Sequence, residues 1–92
     1  MRYAIIEGAA VGSMARLHRL LAEQLDFPGW YGGNLDALYD CLTDLTEETT
    51  VILFHSQALA ETLGTAYTRF CRVLTDASAE NPRLHIQIRI YP

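Results

Sequence analysis

The sequence has no lysine, and arginine is missing from a long central stretch. Neither basic residue occurs between Arg19 and Arg69. That interval holds eight acidic residues: Glu23, Asp26, Asp36, Asp40, Asp44, Glu47, Glu48 and Glu61. A block of one charge sign produces a directional electric field, which attracts a basic partner and repels nucleic acid. Because proteins neutralise nucleic-acid phosphates with lysine and arginine, this stretch is not expected to bind DNA or RNA.

Potential metal ligands are few, and their spacing is wrong for chelation. The two cysteines, Cys41 and Cys71, form no Cys-x-x-Cys pair, and the three histidines, His18, His55 and His85, form no His-x-x-x-His pair. Zinc sites are typically built on such close pairs. We therefore expect no metal and no other cofactor. The cysteines are expected to be reduced and buried, where they act as small apolar residues.

Long apolar runs are missing as well. No segment approaches the roughly 20 apolar residues of a membrane-spanning helix. Glu7 interrupts the apolar start of the chain before it reaches the length of a signal peptide. These features predict a soluble, cytoplasmic protein. With 92 residues, of which 50% are apolar and 20% charged, the chain is predicted to form a single domain over residues 1–92.

The apolar periodicity that is present predicts an α/β fold. The predicted strands cover residues 2–7, 50–54 and 84–90. The predicted helices begin after caps at Ser13, Asn34 and Ser56 and at residue 65, and they end near residues 25, 45, 64 and 79. The order β-α-α-β-α-α-β favours a small three-stranded parallel sheet, packed by about four helices through right-handed crossovers.

The second predicted helix has two very different sides. One side is apolar and contains leucines and Cys41. The other side is polar, and its members are Asp36, Tyr39, Asp40, Thr43 and Asp44. Like charges four residues apart destabilise a helix by a few tenths of a kcal/mol, and negative charge is unfavourable near a helix C-terminus. Helix stability therefore does not explain this row of acids.

An aromatic, glycine-rich segment precedes the helix. Trp30 and Tyr31 are followed directly by Gly32, Gly33 and the predicted cap Asn34. Tryptophan and tyrosine are among the most frequent anchors of protein interfaces. The aromatic segment and the acidic helix side together predict a face that binds another protein. The alternative is an ordinary solvated helix side, preceded by an aromatic pair that covers the core.

The same residues give little support for catalysis. Cys41 lies on the apolar helix side, where burial disfavours the reactive thiolate. Aspartates spaced four residues apart have a separation suited to acid–base chemistry, but no pocket-forming sequence surrounds them. Gly32 and Gly33 have neither the spacing nor the lysine of a phosphate-binding loop. We therefore expect that the protein is not an enzyme.

The run Pro-x-aromatic-Tyr-Gly-x-Asn-Leu-Asp-Ala-Leu-x-Asp-Cys-Leu, which begins at Pro28, is long and specific. The segment that contains it, from Leu25 to Thr43, resembles the barstar family of ribonuclease inhibitors. A weaker similarity extends over the opening strand, Leu17-His18 and the isoleucine-rich closing strand. The fold of that family, a three-stranded parallel sheet packed by helices, agrees with the order that the periodicity predicts.

The resemblance implies a stoichiometric inhibitor, monomeric when free, that forms a 1:1 complex with a basic ribonuclease in the cytoplasm of the producing cell. It implies that Asp40 enters the phosphate-binding subsite of the nuclease and that Asp36 pairs with further basic groups. It also implies a peripheral charge contact by Asp76. Packing and hydrogen bonds around the two aspartates are implied for Trp30, Tyr31, Asn34, Tyr39 and Thr43.

The chain departs from the best-known member of that family at several of these positions. Tyr39 stands where that member has tryptophan, Trp30 where it has tyrosine, and Asp44-Leu45 where it has Gly-Trp. Asp76 is one methylene shorter than the corresponding glutamate. We expect the same binding mode with a different partner specificity. The alternative is an immunity or adaptor module that binds a basic protein other than a ribonuclease.

Overall fold

The computed structural model describes residues 1–91 and contains one three-stranded parallel sheet. Strands β1, β2 and β3 lie side by side in that order and span Arg2–Glu7, Thr49–Phe54 and Leu84–Ile88. Helices α1, α2, α3 and α4 span Met14–Leu25, Leu35–Thr43, Ser56–Leu63 and Thr65–Glu80. A short 3-10 turn, Gly8–Ala10, follows β1. The predicted α/β class, the parallel sheet and the order of strands and helices are confirmed.

The helices cover one side of the sheet and leave the other side open. Ala4 and Ile6 of β1 and Val51 of β2 are at most 1% exposed, whereas Tyr3 and Ile5 are 50% and 52% exposed. Successive side chains of a strand point to opposite sides. Since the strand order follows the chain order, two right-handed crossovers place both helix pairs on the same side. The core therefore lies between the helices and the side of the sheet that carries Ala4, Ile6 and Val51.

The core joins the sheet to the apolar sides of all four helices. Its members are Ala4, Ile6, Val11, Leu17, Leu21, Leu25, Leu38, Leu42, Val51, Leu53, Leu59, Phe70, Leu74, Ala77 and Leu84. Leu38 and Leu42 of α2 have no exposed surface. Because these two side chains fix the inward side of α2, the opposite side of that helix must face outward.

The two cysteines are free thiols. Cys41 is buried, as predicted, but the prediction that Cys71 is buried is wrong, since that side chain is partly exposed. The buried stripe of α4 passes through Phe70, Leu74 and Ala77. Cys71 lies at the margin of this stripe, because neighbouring residues of a helix are rotated by about 100° from each other.

Helix α2 ends at Thr43, two residues earlier than predicted. The N–H of Asp44 still donates to the carbonyl of Asp40, and the chain then leaves the helix. The carboxamide of Asn81, which is buried, donates to the carbonyls of Leu42 and Leu45 at 3.0 and 3.1 Å. Asn81 thereby satisfies the Leu42 carbonyl at the C-terminus of α2, which the helix itself cannot pair, and the Leu45 carbonyl just after the helix.

His55 sets the end of β2 and the start of α3. Its backbone φ of 50° lies in the left-handed region, so the strand cannot continue. The prediction of a Ser56 cap is wrong: His55 occupies the cap position, and Ser56 is the buried first residue of α3. The predicted extension of β3 to residue 90 is wrong for the same reason. Ile88 pairs with Leu53, so Ile90 would have to pair with His55.

Two kinds of structural feature are absent from residues 1–91. No helix within residues 1–91 is both long and apolar enough to cross a membrane. Within the same residues, no three histidine, cysteine, aspartate or glutamate side chains lie close enough together to hold a metal ion.

Candidate functional site

The segment between α1 and α2 holds Trp30 out into solvent. Helix α1 ends at Leu25, and its C-cap Asp26 has a left-handed φ of 53° and donates its N–H to the carbonyl of Ala22. A turn follows, in which the N–H of Tyr31 donates to the carbonyl of Pro28 at 3.0 Å. This turn leaves the Trp30 side chain 61% exposed. A large aromatic ring in that position has an apolar surface ready to be covered by a partner.

Tyr31 points the opposite way and anchors the segment to α1. Its ring packs at 4.9 Å from Phe27 and 5.8 Å from His18 between centroids. Burial raises the pKa of the Tyr31 phenol, so the hydroxyl stays protonated, and it forms a hydrogen bond with Nδ1 of His18. The sequence predicts that Trp30 and Tyr31 act together as one aromatic pair, but in the structure their side chains have different environments. Trp30 is available to a partner, while half-buried Tyr31 positions the segment.

His18 gives the protein a predictable dependence of stability on pH. It is 6% exposed, and burial lowers the pKa of its imidazole below the ordinary value near 6.5. As the pH falls, the unfolded chain therefore takes up this proton before the folded protein does. The contribution of His18 to the free energy of unfolding is complete above about pH 6.5 and declines as the pH falls toward the folded-state pKa.

Urea unfolding between about pH 7.5 and about pH 5 measures this effect. We expect the midpoint of the wild type to fall more steeply with acidification than that of a His18→Gln variant. His55 and His85 pair with Glu7 and Glu48 and are present in both proteins, so their contributions cancel in the comparison. Equal slopes would show that the buried imidazole is not the group responsible.

Asn34 is the N-cap of α2, as predicted. Its side-chain oxygen accepts the N–H of Ala37 at 2.8 Å. Gly33, just before it, has a φ of 68°, a conformation that favours glycine. The side-chain Nδ2 of Asn34 would lie 3.2 Å from a Cβ at position 32, so a larger residue in place of Gly32 would crowd the cap. These contacts fix where α2 begins and thus the direction of its side chains.

The outward side of α2 presents three carboxylates without partners. Asp36, Asp40 and Asp44 are exposed, and none of them forms an ion pair or a side-chain hydrogen bond within residues 1–91. Asp36 lies in the first turn, where the helix dipole favours an acid. Asp40 and Asp44 lie toward the C-terminal end, which has no basic residue to compensate them. The arrangement is therefore suited to receiving basic groups from outside.

Tyr39 and Thr43 are less available than the acids beside them. Tyr39 is partly buried and packs against the core. The Thr43 hydroxyl donates within its own helix, to the carbonyls of Tyr39 and Asp40 at 2.9 and 3.1 Å. The predicted polar side thus consists of exposed carboxylates separated by half-covered side chains. Asp76 is exposed on α4, the helix that packs beside α2.

Cys41 is not suited to act as a nucleophile. Burial raises the pKa of its thiol, and the nearby carboxylates of Asp44 and Asp40 raise it further. Each of these effects disfavours the thiolate, which is the reactive form. The acids on the outward side of α2 therefore oppose catalysis by the cysteine on its inward side.

Sequence reasoning missed several residues that shape the site. In the sequence, Asn81 with Pro82 indicates only where the last helix stops, although the Asn81 side chain also holds the C-terminal end of α2. His18 had no predicted role in the site, yet its ring forms a hydrogen bond with Tyr31. Arg69 had no predicted role, and in the structure it borders the same cleft as Asp36. The only sequence signal for these contacts was a polar or charged residue on a helix side that packs against a neighbour.

Two comparisons with known proteins identify sequences similar to this chain. The model of the family described as "Barstar (barnase inhibitor)" matches residues 1–91. A protein of Bacillus subtilis (strain 168), described as "Putative ribonuclease inhibitor YrdF", is 36% identical over 81 residues. That alignment covers 87% of this chain and 89% of the Bacillus protein.

Proposed function

The chain belongs to the barstar family of ribonuclease inhibitors, and from this premise we propose that it inhibits a basic, barnase-type ribonuclease by covering its active site. The inhibitor acts as a monomer in the cytoplasm and forms a 1:1 complex. Helix α2 enters the nuclease cleft, with Trp30 packing at its side. The protein performs no reaction of its own in this function.

The row of unpartnered carboxylates on α2 is the observation that carries the proposal. A ribonuclease binds RNA phosphates with arginine, lysine and histidine, so its cleft has a strong positive potential. Asp36, Asp40 and Asp44 are exposed and form no ion pair within residues 1–91. Binding therefore requires no internal ion pair to be broken. The carboxylates take the places of the substrate phosphates and accept charge-assisted hydrogen bonds.

Each predicted site residue has a role in this proposal. Asp40 lies at the centre and pairs with the arginines and the catalytic histidine of the phosphate-binding subsite. Asp36 binds further basic groups, and Asp76 adds a contact at the periphery. Trp30 provides the main apolar anchor. Asp44 adds a carboxylate at the C-terminal end of the row. The remaining residues, which pack or form hydrogen bonds around the carboxylates, are Tyr31, Asn34, Tyr39 and Thr43.

Titration of RNA cleavage tests this function. A panel of purified barnase-type ribonucleases is mixed with increasing amounts of the protein at a nuclease concentration far above the dissociation constant. For the matching nuclease we expect activity to fall linearly and to reach the baseline at one equivalent. The protein alone, incubated with RNA, controls for contaminating activity.

Two results would contradict the proposal. Incomplete inhibition at large excess would mean that the acidic face, formed by Asp36, Asp40 and Asp44 on the outward side of α2, binds away from the active site. No effect on any member of the panel would favour a basic partner other than a ribonuclease, as expected for an immunity or adaptor module.

A further inference from the structure

A cleft of about 430 Å³ opens beside the acidic face, between α1, α2 and α4. Its apolar lining comes from Met14, Leu35 and Ala66, one residue from each of the three helices. Asp36 of α2 and Arg69 of α4 also border it. The cleft thus has a charged group of each sign and room for one or two side chains of a partner.

The two charged groups at the cleft do not form an ion pair with each other. Within residues 1–91, neither Asp36 nor Arg69 forms an ion pair, and the ion pairs that do exist involve Arg2, His55 and His85 elsewhere on the protein. A partner that covers the cleft removes water from both groups. A charge that loses water without gaining an opposite charge is costly. A partner with only basic groups here would satisfy Asp36 and repel Arg69.

We propose that Arg69 is a specificity-determining residue, and that the cleft receives a carboxylate side chain of the ribonuclease next to a basic side chain bound by Asp36. This inference rests on the proposed function. Arg69 selects among ribonucleases, because those with a base in place of the acid are rejected by like charge. The methylene groups of the entering side chain lie against Met14, Leu35 and Ala66.

Charge reversal at Arg69 provides the test, with Arg72→Glu as the matched control. Arg72 is exposed on the same helix, one turn further, and does not line the cleft. Both reversals make the net charge more negative by the same amount, so any faster association with a basic nuclease is common to both. We expect Arg69→Glu to weaken binding by about tenfold or more, mainly through faster dissociation, and Arg72→Glu by less than about threefold.

The expected change in affinity for Arg69→Glu is opposite to the change that overall charge attraction would produce. If Arg69 only weakened the acidic field, its reversal would tighten binding to a basic nuclease. Equal effects of the two reversals, or tighter binding by Arg69→Glu, would overturn the inference while the proposed function stood. Failure of the wild type to inhibit any ribonuclease of the panel would overturn both. Arg69→Gln, with an expected loss of about threefold, repeats the test without adding a negative charge, and thermal unfolding checks the fold of each variant.

Discussion

An Asp40→Ala variant is expected to bind the ribonuclease more weakly by about 2 kcal/mol or more, which is roughly a thirtyfold loss of affinity. Asp40 lies midway along the outward side of α2, between Asp36 and Asp44, and has no partner in the free protein. In the proposed complex it is desolvated and accepts hydrogen bonds from several basic groups. Its removal leaves those groups buried without an acceptor, which is the costly situation.

The stability of the fold should not change with this substitution. The Asp40 side chain is exposed, and it faces like charges four residues away on both sides. Relief of that repulsion stabilises a helix by about 0.2–0.5 kcal/mol. The urea midpoint of Asp40→Ala is therefore expected to equal or slightly exceed that of the wild type, so weaker binding cannot be assigned to unfolding.

Measured association and dissociation rates separate the long-range charge attraction by Asp40 from its contacts in the complex. Glu61→Ala is the matched control, since Glu61 is an exposed acid on α3, away from the acidic face, and its loss changes the net charge equally. Asp40→Asn keeps the shape and removes only the charge. We expect both Asp40 variants to dissociate much faster than Glu61→Ala. Similar dissociation rates for all three would remove Asp40 from the centre of the interface.

Much of this fold can be predicted because its local patterns agree with the final structure. Ser13 and Asn34 are predicted to cap helices, and in the structure their side-chain oxygens accept the N–H groups of Arg16 and Ala37. The two-sided pattern of α2 predicts which residues face inward, and Leu38 is indeed fully buried. Such features depend on residues three or four positions apart, so the sequence alone contains the information.

The features that escaped prediction depend on contacts between distant parts of the chain. His55 adopts a left-handed backbone where β2 meets the turn after β1, and a Cβ at Gly8 would lie 2.4 Å from the His55 carbonyl oxygen. Asn81 ends α4 and at the same time holds the end of α2. No periodicity within one segment reports such a contact.

The candidate site shows the same division. The acidic row follows from helical spacing, and its exposure follows from burial of the opposite side. The different orientations of Trp30 and Tyr31 do not follow, because they depend on the hydrogen bond between Tyr31 and His18 of α1. The position of Arg69 at the same cleft as Asp36 depends likewise on how α4 packs against α2. Specificity is therefore harder to predict here than the location of the site.

Replacement of Phe70 by alanine is expected to cause the largest loss of stability, about 3–5 kcal/mol. Phe70 is 1% exposed and is the largest of the fully buried side chains. Its ring lies on α4, which packs against α2, α3 and β3. Truncation removes the transfer energy of the ring and leaves a cavity that rigid neighbours fill only in part. The free energy of unfolding of a domain of this size is about 5–15 kcal/mol, so the loss is a large fraction of the total.

Urea unfolding of Phe70→Ala and Phe54→Ala measures this loss against a matched truncation. Phe54 lies on the open side of the sheet, half-buried beneath the Arg89 guanidinium, 5.4 Å above its ring. Its removal opens no enclosed cavity, so a clearly smaller loss is expected. Comparable losses for the two would mean that the open side contributes as much as the core. At urea concentrations where Phe70→Ala remains folded, its affinity for the ribonuclease should be unchanged, because α2 binds through the side that faces away from Phe70.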